Sequence, residues 1–298
     1  MSWRVLLCLH ITSLLAAAII SPGIIRLWVF WNIKFPNRVV TYILAKGFRV
    51  TYDRIYLLCF ALALLPFGWK VLRNRRALSW VGVEKKPGWS FLGKFFVMGV
   101  VLDLILIIAQ MFYFPFTFTP WSPGLLRLIL WCGISACMIA FLEEWFFRAC
   151  LLGSLWRSCG ERGALLVSAL IFAYSHFKIP RSLDIPVTEV TWSSGFLAMY
   201  WHLMGIFRNF ELIPFAILVV LGVVLSQLVL LYRSLLPAVG FHAGIVWALM
   251  VYKKCVDVEM LPHPFLGTWR LMDAPATLCV LLGTSWVLRA YRRRDVLL

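Results

Sequence analysis

Charge is what this sequence has little of. Only 14% of its 298 residues are Asp, Glu, Lys or Arg, against about 25% in a soluble globular domain. Acidic residues are the scarcer sign, 13 against 29 Lys and Arg. No C-x-x-C pair occurs among Cys8, Cys59, Cys132, Cys137, Cys150, Cys159, Cys255 and Cys279. Most of these cysteines lie in apolar runs and read as small buried hydrophobes rather than as a disulfide or zinc framework. No polar stretch is long enough to form a soluble domain of its own.

Apolar residues fill the space that charge leaves. They make up 62% of the chain, mean hydropathy is +0.87, and several runs approach 20 residues. An all-α fold is expected, a polytopic transmembrane helix bundle of about eight spans. The net charge of +16 comes mostly from Lys and Arg between apolar runs, where membrane lipids with anionic headgroups are the fitting partners. No basic stretch is interleaved with a soluble fold, so nucleic acid is not an expected partner. Many of the 15 Trp residues, such as Trp28, Trp31, Trp69, Trp80, Trp89 and Trp121, sit at run ends, as an interfacial belt predicts.

The expected spans are 3–21, 54–69, 91–112, 125–156, 164–176, 212–232, 237–252 and 274–288. The first reads as an uncleaved anchor, although Ala16-Ala17-Ala18 resembles a cleavage region. Residues 22–53 read as a basic interfacial segment, and 180–211 as a mixed, amphipathic polar insertion. Arg73, Arg75, Arg76, Lys85 and Lys86 make 70–87 the strongest basic loop. Three regions follow: N-terminal spans and loops in 1–90, a helical core in 91–252, and a last span with a basic tail in 253–298. Eight spans put both termini on one side, and positive-inside logic makes that side cytoplasmic in a plasma (inner) membrane.

Within the fourth span stands Phe141-Leu142-Glu143-Glu144-Trp145-Phe146-Phe147-Arg148. Each charge at the centre of a membrane helix costs roughly 2.5–3.5 kcal/mol on insertion scales, so such groups are paired, water-lined or functional. Glu144 and Arg148 are four apart, the spacing of an intrahelical ion pair. Glu143 points about 100° away from Glu144, and neither Phe146 nor Phe147 can serve it as a base. It is the candidate general acid or base.

Gly160 breaks the helix within the polar turn 157–162. Glu143 lies 14 residues before Arg157, and His176 lies 14 residues after Arg162. In an antiparallel hairpin both sit about 21 Å from the turn at 1.5 Å per residue, hence at matching depth. Phe172 shares the face of His176; a satisfied core histidine is the competing reading. A third site is 235–244, where Gly240, Ala243 and Gly244 around His242 allow another helix to approach closely.

These three motifs together resemble the CPBP family, the CAAX protease and bacteriocin-processing (Abi-type) membrane proteins. E-E-x-x-x-R is Glu143, Glu144 and Arg148, F-x-x-x-H runs from Phe172 to His176, and His242 supplies the third. The resemblance covers about 91–252, and the best-known branch is the type II CAAX prenyl endopeptidases. It implies that Glu143 with His176 activates a water and that His242 helps to stabilise the oxyanion. Glu144, Arg148 and Phe172 take supporting positions. The family's last motif often reads H-x-x-x-N, whereas Val246 stands here. A lost oxyanion donor costs about 2.7–4 kcal/mol of transition-state stabilisation. Either Ser175 or a backbone amide substitutes, or this branch is slower or differently specific.

Glu143, His176 and His242 could also bind Zn²⁺ with a fourth position for water. No H-E-x-x-H is present, so the residues leave open a metal or a direct Glu–His dyad, while the family label is metalloprotease. The leading expectation is an intramembrane endopeptidase acting on a membrane-associated or prenylated-type peptide or protein. A catalytically silent scaffold or immunity protein, which Val246 favours, and a transporter using Glu143, Asp103 and His176 are the alternatives. No internal repeat supports the transporter.

Overall fold

The computed structural model describes residues 3–73, 88–120, 122–177, 184–208, 210–258, 263–268 and 271–295. Most of the expected basic loop 70–87, with Trp80, and also Trp121, lies outside the described residues. The fold is all-α, with one small β ribbon. Among the described residues, five helices are long and apolar enough to cross a membrane: 4–34, 89–111, 123–156, 212–232 and 236–255. The protein is therefore an integral, multi-pass membrane protein. The other three expected spans fall on α3, α6 and α10 below.

Two compact units are present, one of residues 1–74 and 174–210, the other of 75–173 and 211–298. The first contains α1 (Trp3–Lys34), α2 (Arg38–Leu44), α3 (Gly47–Arg73), the last residues of α6 and α7 (Trp192–Arg208). The sequence suggests that the first span ends at Ser21, yet α1 runs on through Pro22 for 32 residues. Proline lacks an N–H and so leaves the Ala18 carbonyl without its helical donor. Gly195 of α7 is pressed onto that carbonyl, where any Cβ would collide with it. Tertiary packing thus tolerates a proline that local propensity would make a terminus.

The segment read as a polar insertion also changes character. It contains a short 3₁₀ turn, Val187–Glu189, and the 17 residues of α7, which pack along α1. Asp184, just before that turn, accepts a hydrogen bond from the Arg49 amide at 2.8 Å. It caps the first turn of α3 from far along the chain, beside Gly47 at φ +84°.

The second unit contains α4 (Trp89–Met111), β1 (Phe116–Phe118), α5 (Pro123–Glu144), a π-helical segment (Trp145–Leu152), α6 (Gly153–Ser175), α8 (Leu212–Tyr232), α9 (Leu236–Cys255), β2 (Val256–Val258) and α10 (Pro275–Asp295). β1 and β2 pair antiparallel, with Phe116 opposite Val258 and Phe118 opposite Val256. β1 lies between Pro115 and Pro120 after α4, and β2 follows directly on α9.

Helices α4 and α9 run parallel in close contact. A Cβ on Gly240 would strike the Leu92 carbonyl, one on Gly244 the Phe96 carbonyl, and one on Gly99 the Phe241 carbonyl. Three glycines therefore let two backbones touch, the small-residue packing that lipid-embedded helices use in place of a hydrophobic drive. Gln110 locks the far end of this pair. Its amide donates to the Leu266 and Thr268 carbonyls at 2.8 Å each, and Tyr252 donates to its oxygen at 3.2 Å. Gly244→Leu is expected to destabilise the unit by about 1–3 kcal/mol or more, since the obstacle is backbone. A lower Tm in detergent is the readout.

Candidate active site

The site forms where the fourth expected span changes its winding. The chain is α-helical to Glu144, then π-helical from Trp145 to Leu152, and α-helical again from Gly153. The sequence predicts an unbroken α-helix here and misses this change. A π segment leaves its carbonyls misaligned and is frequent at functional sites. Ser168 of α6 donates to the Phe147 carbonyl at 3.2 Å, and Phe147 to Leu155 are all buried. Packing on every side holds a winding that no local sequence signal announces.

The expected hairpin is present. Gly160 (φ +70°, ψ 177°) breaks α6 as predicted, and the two limbs meet through Phe147 and Phe172, whose rings lie 5.1 Å apart, edge to face. Ser168 and Phe172 are four residues apart on one face of α6. That spacing is the signal by which the sequence could have revealed Ser168.

Glu144 and Arg148 form the predicted ion pair, Oε1 to Nη1 at 3.0 Å, both fully buried. Arg148 also donates through Nη2 to the Gly222 carbonyl at 3.3 Å, and its guanidinium lies 4.5 Å over the Phe172 ring. Gly222 is the sole glycine of α8, and a Cβ there would come within 3.0 Å of Ala169. Its carbonyl also accepts the Ser226 hydroxyl at 2.8 Å. The arginine thus ties the π segment, α6 and α8 together.

The pair is not self-contained. His242 of α9 reaches the same Glu144 oxygen, Nδ1 to Oε1 at 2.9 Å. The other nitrogen of that ring, Nε2, stands 3.9 Å from Glu143 Oε2. Phe172 stacks edge-on against His242, centroids 6.0 Å apart. Glu143 is the more open member of the set, its side chain 30% exposed against 4% for His242. Glu143, Glu144, Arg148, Phe172 and His242 are therefore brought together within one unit.

His176 follows one turn after Phe172, just past Ser175, the last residue of α6, and belongs to the other compact unit. Its Nδ1 lies 3.4 Å from the Ser175 hydroxyl. Val246 follows His242 by one turn of α9. Asp103, an element of the transporter alternative, is buried on α4; no described contact joins it to the carboxylates.

Residues 125–248 match the family model described as Type II CAAX prenyl endopeptidase Rce1-like. Over this segment, less than half of the chain, the sequence is similar to that family. No curated protein and no solved structure matches the chain. The matched segment contains Glu143, Glu144, Arg148, Phe172, His176 and His242, and the match is consistent with the CPBP resemblance of the three motifs.

A tetrahedral Zn²⁺ with bonds of about 2.0–2.2 Å would hold two ligand atoms about 3.3–3.6 Å apart. Glu143 Oε2 and His242 Nε2 stand wider, at 3.9 Å, and among the described residues no three His, Cys, Asp or Glu side chains form a metal-holding group. As placed, the pair is spaced to hold one shared water at about 2.8 Å from each atom.

Arg148→Met would leave Glu144 buried without its cation. A loss of about 3–5 kcal/mol is expected in chemical denaturation. The Glu144→Gln/Arg148→Met double variant is expected to recover part of it, because both charges are then removed.

Proposed function

We propose that the protein is an intramembrane endopeptidase that cuts a membrane-associated peptide by water activated between Glu143 and histidine, without a metal. The observation that carries this reading is the pair Glu143 Oε2 and His242 Nε2, 3.9 Å apart beside a buried Glu–Arg pair. Two proton-accepting atoms at that spacing can hold one water between them.

In this reaction Glu143 takes a proton from the water as the water oxygen bonds to the scissile carbonyl carbon. The carbonyl π electrons move onto its oxygen. When the tetrahedral intermediate collapses, the C–N bond breaks and the proton passes to the leaving amine. Charge builds on the carbonyl oxygen, where donors are worth most. His242 is the side-chain donor that the family resemblance supplies for it, and Val246 adds none. His176 is the second histidine that the family resemblance supplies for activating the water with Glu143. A prenylated C-terminus is the substrate class that the Rce1-like match supports.

Cleavage of farnesylated and unmodified membrane peptides by detergent-purified protein, with metal analysis of the same sample, tests the proposal. Glu143→Ala and His176→Ala are expected to abolish cleavage. Equal cleavage by wild type and both variants sinks the assignment, and full retention of a cellular phenotype by Glu143→Ala favours the silent scaffold. Val246→Asn is expected to raise kcat, up to the roughly 10²-fold that one oxyanion donor supplies, with KM little changed.

A further inference from the structure

We propose that Glu144 is a positioning residue that holds His242 with its ring proton on Nδ1 and so presents Nε2 towards Glu143 as a proton acceptor. The proposal rests on the protease reading for its consequence, but its geometry stands apart from that reading.

Glu144 Oε1 receives Arg148 Nη1 at 3.0 Å and lies 2.9 Å from His242 Nδ1. An oxygen that accepts from a guanidinium faces the imidazole as an acceptor too, so Nδ1 must be the donor. In a neutral imidazole the second nitrogen is then a bare lone pair. That nitrogen is the one on the Glu143 side, at 3.9 Å. A half-turn of the ring would exchange both nitrogens for carbons and break both polar contacts. The side chain is 4% exposed and braced edge-on by Phe172, so it is held against such a turn.

A role follows that differs from simple oxyanion donation. Neutral His242 has no proton on Nε2 to give to an oxyanion. It first accepts from Glu143 the proton that Glu143 has taken from the water adding to the carbonyl carbon, which returns Glu143 to a carboxylate, and the resulting imidazolium then carries N–H on both nitrogens. Its Nε2–H can next donate to the oxyanion and pass the proton to the leaving amine as the C–N bond breaks, returning His242 to its starting form. Glu144 bears the same relation to this imidazole as the orienting carboxylate of a nucleophile–base–carboxylate triad. Arg148 anchors Glu144 in turn through the Gly222 carbonyl at 3.3 Å.

The test is the ¹⁵N spectrum of histidine-labelled, full-length protein in detergent, with the signal of His242 identified by its loss in His242→Gln. The expected wild-type result at neutral pH is a protonated Nδ1 and an unprotonated Nε2. Glu144→Gln, whose amide can also donate, is expected to move His242 towards the Nε2–H form and to lower kcat by on the order of 10²–10⁴-fold, with KM little changed. A wild-type proton on Nε2, or a His242 signal that Glu144→Gln does not alter, overturns the proposal. If Glu144→Gln does not fold, the wild-type spectrum decides alone. If the wild type cleaves nothing, the protease reading fails and the spectrum still decides the tautomer.

Discussion

A buried guanidinium must be compensated wherever it is placed, and here Arg148 organises its surroundings accordingly. It is almost wholly buried, bonded to Glu144 and to the Gly222 carbonyl, with its face on Phe172. Those contacts draw on the π segment, α6 and α8 at once. A buried ion pair of this kind adds little net stability over a well-packed apolar one, but losing one partner is costly. Its value is geometric, because it fixes Glu144, and through Glu144 the ring of His242.

The surrounding helices supply rigidity by close backbone contact rather than by large side chains. Gly99, Gly240 and Gly244 let α4 and α9 touch, which sets the depth at which His242 emerges from α9. Gly222 does the same for α8 against α6. In an apolar medium there is no hydrophobic force to press helices together, so shape and dispersion must hold them. His242 therefore sits on one of the most buried helices of its unit, as positioning within fractions of an ångström requires.

The arrangement also gives the two glutamates different surroundings. They are neighbours in sequence, yet one is fully buried between Arg148 of the π segment and His242 of α9, while the other is partly open beside the second nitrogen of His242. Adjacent carboxylates in different surroundings are how one site obtains a fixed charge and a reactive one. The π winding that begins at Trp145 follows directly after both.

Much of this was legible from residue order alone. Apolar run length located the membrane helices, and the i, i+4 spacing announced Glu144 with Arg148. The flexible backbone of Gly160 marked the hairpin turn, and the small residues around His242 foretold a close helix contact. These are local properties, written within a few residues of one another. What only the tertiary structure decided was long-range. The passage of α1 through Pro22 depends on Gly195, far along the chain, and the π winding depends on Ser168 and on burial from all sides. The meeting of His242 with both glutamates spans 98 residues, a distance over which periodicity carries no register. The sequence could name the carboxylates, but only the packing of α9 against α5 could say which nitrogen of His242 each one faces.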